Sequence, residues 1–209
     1  MHIIIAALIA LQLAAVPSAG SQSTPAVKPA SEQIVLAGGC FWGMEAVFDA
    51  LKGVTNVVAG YAGGSKTTAN YDIVSTGLTG HAESVQISFD PSQISLQQIL
   101  DVFFFVAHDP TQLNYQGPDH GKQYRSVIFY ENDEQRRVAL AYISKLQQSK
   151  AFSSPVVTQV VPLPTFYAAE AYHQHYVANN PDSPYVMYND LPKLTYLHKK
   201  FPQLVKSKS

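Results

Sequence analysis

Only one thiol, Cys40, is present in the 209 residues of the chain, and it stands between Gly38-Gly39 and Phe41-Trp42. A lone cysteine forms no intrachain disulfide and no all-cysteine zinc site, so any chemistry it has belongs to a single sulfur acting as nucleophile or redox centre. Its surroundings favour the nucleophile. Ile34-Val35-Leu36-Ala37 reads as a short apolar strand, and Met44, Val47, Phe48 and Leu51 fall at i, i+3, i+4 and i+7, which predicts a helix. Cys40 therefore lies at a strand-to-helix turn that the glycines allow to be sharp, close to the first free backbone N–H groups of the helix. The positive end of the helix dipole is expected there to lower the thiol pKa. The alternative is a small buried core cysteine, since free Cys is among the most buried residue types. Phe41 and Trp42 are off the apolar stripe and are expected to flank the sulfur, either as a hydrophobic lid or as an aromatic pocket for an apolar or thioether group.

The remaining elements position a second group. Lys52-Gly53 closes the first helix, and Val54 to Ala59 predicts a β-branched strand before a loop at Gly60 to Gly64. Val85, Ile87 and Phe89 alternate with polar residues in a half-buried strand stopped at Asp90-Pro91. Glu83 shares their parity, so one more step of that strand aims its carboxyl at the apolar face, where desolvation raises a carboxyl pKa. Ser95 and Gln98 have capping-box spacing ahead of a helix with Leu96, Ile99, Leu100, Phe103 and Phe104 on one stripe. Arg125 to Tyr130 predicts a fourth strand. The order β-α-β-β-α-β implies an α+β fold, a two-layer ferredoxin-like split β-α-β core with a mixed sheet. A further helix at Asp133 to Lys150 and a strand at Val156 to Val161 follow, and an irregular tail is expected from Pro162 onward.

Composition narrows the classes. Fourteen Lys and Arg against fifteen Asp and Glu leave a net charge of −1, with no basic excess for binding nucleic acid. Seven histidines are present, but His173 and His175 sit two apart on an expected helix and diverge by about 200°, and no HExxH spacing occurs, so no metal site is expected. Ile3 to Val16 is apolar apart from Gln12, falls short of the roughly 20 residues of a spanning helix, and is followed by Pro17-Ser18-Ala19-Gly20. This pattern predicts a signal peptide over residues 1–20 and export to a periplasmic or secreted location, in preference to an uncleaved membrane anchor. A flexible linker over 21–31 and a single catalytic domain over 32–209 complete the expected organisation.

Gly39-Cys40-Phe41-Trp42-Gly43-Met44-Glu45 resembles the signature of the A-type peptide methionine-(S)-sulfoxide reductases. The resemblance continues in order through Gly60 to Gly64, Asn70-Tyr71, Gly77 to Glu83, His108 to Thr111, Gly117 to Ser126 and Ala168 to Pro181, covering about residues 33 to 182. It implies thiol-dependent reduction of methionine-(S)-sulfoxide, in proteins or free, through attack of Cys40 on the sulfoxide sulfur and a Cys40 sulfenic acid. Such a reduction needs a proton for the departing oxygen, and Glu83 is the natural donor. By resemblance, Tyr71 and Tyr124 hydrogen-bond the sulfoxide oxygen, Asp119 assists the thiol-exchange half of the cycle, and Phe41 and Trp42 bind substrate.

The resemblance implies no cofactor beyond an external thiol reductant, supplied by thioredoxin, glutaredoxin or a small thiol. Many members carry additional cysteines toward the C-terminus that resolve the sulfenic acid, whereas Asp182 to Ser209 has none here. Two other functions fit the same residues. One is a cysteine hydrolase or acyl-transferase with His81, His108 or His120 as base, and the other is a non-catalytic module that binds methionine-rich peptides in the aromatic pocket.

Overall fold

A computed structural model describes residues 31–207. Strand β1 (Glu32–Ala37) leads into helix α1 (Phe41–Asp49), β2 (Val54–Ala62), the single turn α2 (Tyr71–Val74), β3 (Ala82–Phe89) and α3 (Leu96–Val102). A hairpin of β4 (Tyr115–Gln116) and β5 (Asp119–His120) precedes β6 (Val127–Tyr130), α4 (Asp133–Gln148), β7 (Gln159–Pro162), β8 (Phe166–Ala168), α5 (Tyr176–Asn179) and α6 (Leu191–Lys200).

The main sheet has the order β7-β6-β1-β3-β2-β8, antiparallel throughout except for the parallel β6–β7 pair. Its central four strands, β6-β1-β3-β2, carry the split β-α-β topology that the element order implies. Alternation along each strand divides the residues between the two faces. Ile34, Leu36, Val57, Ala59, Val85, Ile87, Phe89 and Ile128 join one large core with α1, α3, α4 and α6, while Val35, Ala37, Ala62, Ala82, Val127 and Phe129 form a smaller cluster on the opposite face. Glu83 has the parity of Val85 and lies 2% exposed, opposite Tyr61 in the β2–β3 register. The Ser95 and Gln98 capping box is present.

Several boundaries differ from the sequence expectation. The expected loop at Gly60 begins inside β2, because Gly60 to Ala62 pair with both β3 and β8. The fourth strand starts at Val127, and the next at Gln159. The tail after Pro162 is more ordered than expected, since β8 adds an edge strand and α6 packs on α1. Leu191, Leu194, Leu197 and Phe201 carry the spacing of that last helix, with Pro192 in its first turn, where proline is tolerated. The expected leader of residues 1–20 lies outside the described residues, as does the 21–31 linker except for Ser31. No helix among the described residues is long and apolar enough to cross a membrane.

Candidate active site

Cys40 is the N-cap residue of α1, and the turn delivering it depends on Gly39, whose φ of +97° is strained for any residue with a side chain. The Trp42 backbone N–H favours the ionised form of the Cys40 thiol. The Phe41 backbone N–H donates to Glu83 Oε2 at 3.1 Å, so the first turn of the helix that begins after Cys40 also holds the Glu83 carboxyl beside the Cys40 sulfur. A cavity of about 360 Å³ opens between them, lined by Cys40, Phe41, Trp42, Tyr71, Glu83, Asp119, Tyr124, Tyr176, Ser183 and Tyr185. All seven residues singled out from the sequence therefore meet at one place.

Burial, rather than the helix dipole, dominates the Cys40 thiol. It is 8% exposed, and desolvation, followed by the charges of Glu83 and Asp190, pushes its pKa well above the ordinary thiol value despite the Trp42 amide and Lys193. The expected lowering is thus reversed. Desolvation also raises Glu83 to about 8; the Phe41 hydrogen bond opposes this and the charge of Asp119 adds to it. Glu83 is consequently a neutral acid at pH 7, able to donate a proton. Burial raises Tyr71 and Tyr124 as well, with the Glu83 charge second, so both phenols stay protonated donors.

Phe41 differs from the expectation that it would stand clear of the core. It is 1% exposed and belongs to the large core cluster, yet one part of it still faces the cavity. Trp42 is only part-buried and is fixed on two sides. Its Nε1–H donates to His173 Nδ1 at 3.0 Å, and its ring stacks on Tyr176 with centroids 3.7 Å apart and planes 10° from parallel. Tyr185 meets the Trp42 ring edge-on, its hydroxyl donates to Asp119, and it lines the same cavity as Cys40. Tyr71 is anchored through its backbone N–H to Glu170 Oε1, and the Tyr61 hydroxyl bonds the other oxygen of the same carboxylate.

From the sequence, Tyr176 stands out only as part of the Ala168 to Pro181 motif, with no role assigned, and Ser183 and Tyr185 do not stand out at all. The first two lie in or just after short helical turns too brief to show a period, and Tyr185 is one of 12 tyrosines. No histidine lines the cavity. His81 bonds the Ser65 carbonyl, His108 bonds the Phe103 carbonyl and Ser126, and His120 stacks on Tyr115, so none is set as the base of a Cys–His hydrolase. Among the described residues, no cluster of three or more His, Cys, Asp or Glu side chains could hold a metal ion.

A model of the family described as peptide methionine sulfoxide reductase matches residues 32–205. The chain belongs to this family. It is 53% identical to peptide methionine sulfoxide reductase MsrA 2 of Mesorhizobium japonicum over 180 residues, covering 86% of this chain and 92% of that one. Over 179 residues it is 50% identical to MsrA 2 of Synechocystis, covering 86% and 84%. Among solved structures, reduced Mxr1 of Saccharomyces cerevisiae superposes with a TM-score of 0.67 at 34% identity, covering 77% of this chain and 90% of that one. Methionine sulfoxide reductase A of Corynebacterium diphtheriae gives 0.63 at 34% identity, with 74% and 77% covered. The protein is an oxidoreductase that reduces methionine sulfoxide, and the cavity around Cys40 is the part of the fold suited to that chemistry.

Proposed function

We propose that Cys40 and Glu83 divide the reduction of methionine-(S)-sulfoxide between them. The substrate methyl and thioether carbons lie against Phe41 and Trp42, and the sulfoxide oxygen points toward Glu83, Tyr71 and Tyr124. Glu83 protonates that oxygen while the Cys40 sulfur attacks the sulfoxide sulfur. The sulfoxide S–O bond breaks, the oxygen leaves on Cys40 as a sulfenic acid, and the thiol proton returns to the Glu83 carboxylate. The sulfoxide sulfur gains the two electrons that Cys40 loses, and no net proton is exchanged. Tyr71 and Tyr124 can hydrogen-bond the oxygen throughout without carrying charge. Asp119, held by Tyr185, assists the thiol-exchange half of the cycle.

The observation that supports this reading is the pairing of a neutral buried Glu83 with the lone sulfur across one small aromatic-walled cavity. An outside thiol, small or carried by a thioredoxin or glutaredoxin, then displaces water from the sulfenic acid to give a mixed disulfide, and a second thiol releases Cys40. The leader-like pattern of residues 1–20 supports a periplasmic or secreted compartment for this cycle. The test is to mix the protein with each methionine sulfoxide epimer in the absence of thiol. Gain of one oxygen by intact mass with the S epimer alone, and none in Cys40→Ser, is expected. Oxidation by both epimers equally, or turnover by a folded Cys40→Ser variant, would overturn it.

A further inference from the structure

Two charges of the C-terminal segment press on the first turn of α1, the helix that Cys40 caps. Asp190 is fully buried, and neither of its carboxylate oxygens has a hydrogen-bond partner within the protein. Its nearest cation is Lys193 on the first turn of α6, with Nζ 3.6 Å from Oδ1, a contact made by charge rather than by a hydrogen bond. Both groups abut Gly43. A Cβ placed there would come 2.1 Å from Asp190 Oδ1 and 3.0 Å from Lys193 Nζ, so the glycine in the first turn of α1 is what lets this pair approach. A buried carboxylate without hydrogen bonds is costly, and its cost is not recovered by a single long ion pair. Nothing in the chemistry assigned above uses either residue.

We propose that Asp190 and Lys193, packed against Gly43 in the helical turn that follows Cys40, are positioning residues that bias the reactivity of its sulfur in opposite directions, Lys193 favouring the thiolate and Asp190 the thiol. The segment supplying them, Asp182 to Ser209, has no cysteine, so its link to the reaction is electrostatic rather than redox. The effects on Cys40 agree in direction, Asp190 raising its pKa and Lys193 lowering it. Other titratable groups lining the cavity with Cys40 are Glu83 of β3, Asp119 of β5, Tyr71 at the start of α2, Tyr124 before β6, Tyr176 at the start of α5 and Tyr185 before α6. Asp190 also feels Asp119, and Lys193 also acts on His108. All of these are common to the variants below. Lys193 is the one cation among them that acts on the sulfur.

The inference rests on Cys40 being the reactive group, but its test reads protonation rather than turnover, so the two can fail separately. Cys40 is the only thiol in the chain, and the pH dependence of its alkylation by iodoacetamide reports its thiolate fraction directly. Asp190→Asn keeps the shape, leaves Lys193 unopposed, and should raise the alkylation rate at a fixed pH below the midpoint by on the order of tenfold. Lys193→Met should lower it, and the double variant should return toward wild type. If Asp190→Asn fails to fold, Lys193→Met alone still decides, since Lys193 is part-exposed and its loss must move the midpoint upward. Shifts of the same sign in both single variants, or no shift in Lys193→Met, would overturn the proposal.

Discussion

Glu83 Oε2 accepts the backbone N–H of Phe41, the residue that follows Cys40, at 3.1 Å. This bond ties the acid in β3 to the first turn of α1, so strand and helix cannot shift without moving acid and sulfur together. It also occupies only one carboxyl oxygen and leaves the other for the proton. A single N–H cannot offset near-complete burial, which is why Glu83 remains neutral at pH 7 although it accepts a hydrogen bond from the backbone.

Replacing Glu83 with Gln keeps the shape and the Phe41 contact but removes the transferable proton. The rate of sulfenic acid formation in a single turnover should fall by on the order of 10² or more, the scale of general acid catalysis. Substrate affinity should change little. Rapid-quench mass measurement of the oxygen added to Cys40 checks this, and an unchanged first-turnover rate with slower recycling would assign Glu83 to the wrong half of the cycle.

The same substitution should stabilise the protein at neutral pH. A carboxyl raised from 4.5 to about 8 binds its proton more tightly in the folded than in the unfolded state. Its favourable contribution is therefore complete below pH 4.5 and is lost as pH rises toward 8. At ~1.4 kcal/mol per pH unit, this amounts to on the order of 3–5 kcal/mol across that window. Glu83→Gln lacks this loss, so urea unfolding should show the variant gaining on wild type from pH 5 to pH 8. A constant difference between the two across that range would mean that Glu83 is already ionised in the folded protein.

The Trp42 wall of the pocket should be sensitive to acid. Its indole N–H needs an acceptor at His173 Nδ1, so the His173 proton sits on Nε2. Burial lowers the His173 pKa, with Glu170 opposing, and keeps the ring neutral at pH 7. Protonation at lower pH places an N–H on Nδ1, facing the indole N–H, and breaks the bond. KM should therefore rise on the acid side while kcat changes less. Trp42→Phe, which lacks the donor, should show a KM raised by about tenfold at neutral pH and no such acid dependence. Steady-state kinetics on the S epimer from pH 5 to pH 8 separates these outcomes.

Period and parity made Glu83 legible, because a strand must send alternate residues to one face and the apolar members fix which face that is. The turn at Cys40 was legible for a similar reason, as two glycines between a strand and a helix leave few other geometries. What sequence could not carry was the depth of the site. The dipole argument treats the sulfur as if solvent were near, whereas β3 and the segment before α6 enclose it and add two carboxylates, reversing the sign. Tyr185 and Asp190 belong to that segment. Neither has a periodic neighbour to mark it, and only tertiary contact brings them within reach of residue 40.

Oxidised Cys40 should wait for an external thiol. No second cysteine exists in the chain, so an intramolecular disulfide is excluded. A disulfide between two copies is opposed by geometry, since it requires Cα atoms about 4.4–6.8 Å apart, and Cys40 is buried, 8% exposed, at one side of a cavity of about 360 Å³. A small thiol fits such a space, and a protein thiol must present its cysteine on a protruding loop. Treatment with excess substrate and no reductant should yield monomer with one added oxygen. Glutathione added next should give a single adduct on Cys40, released by a further equivalent of thiol. A covalent dimer forming as fast as steady-state turnover would show instead that a second subunit resolves the sulfenic acid.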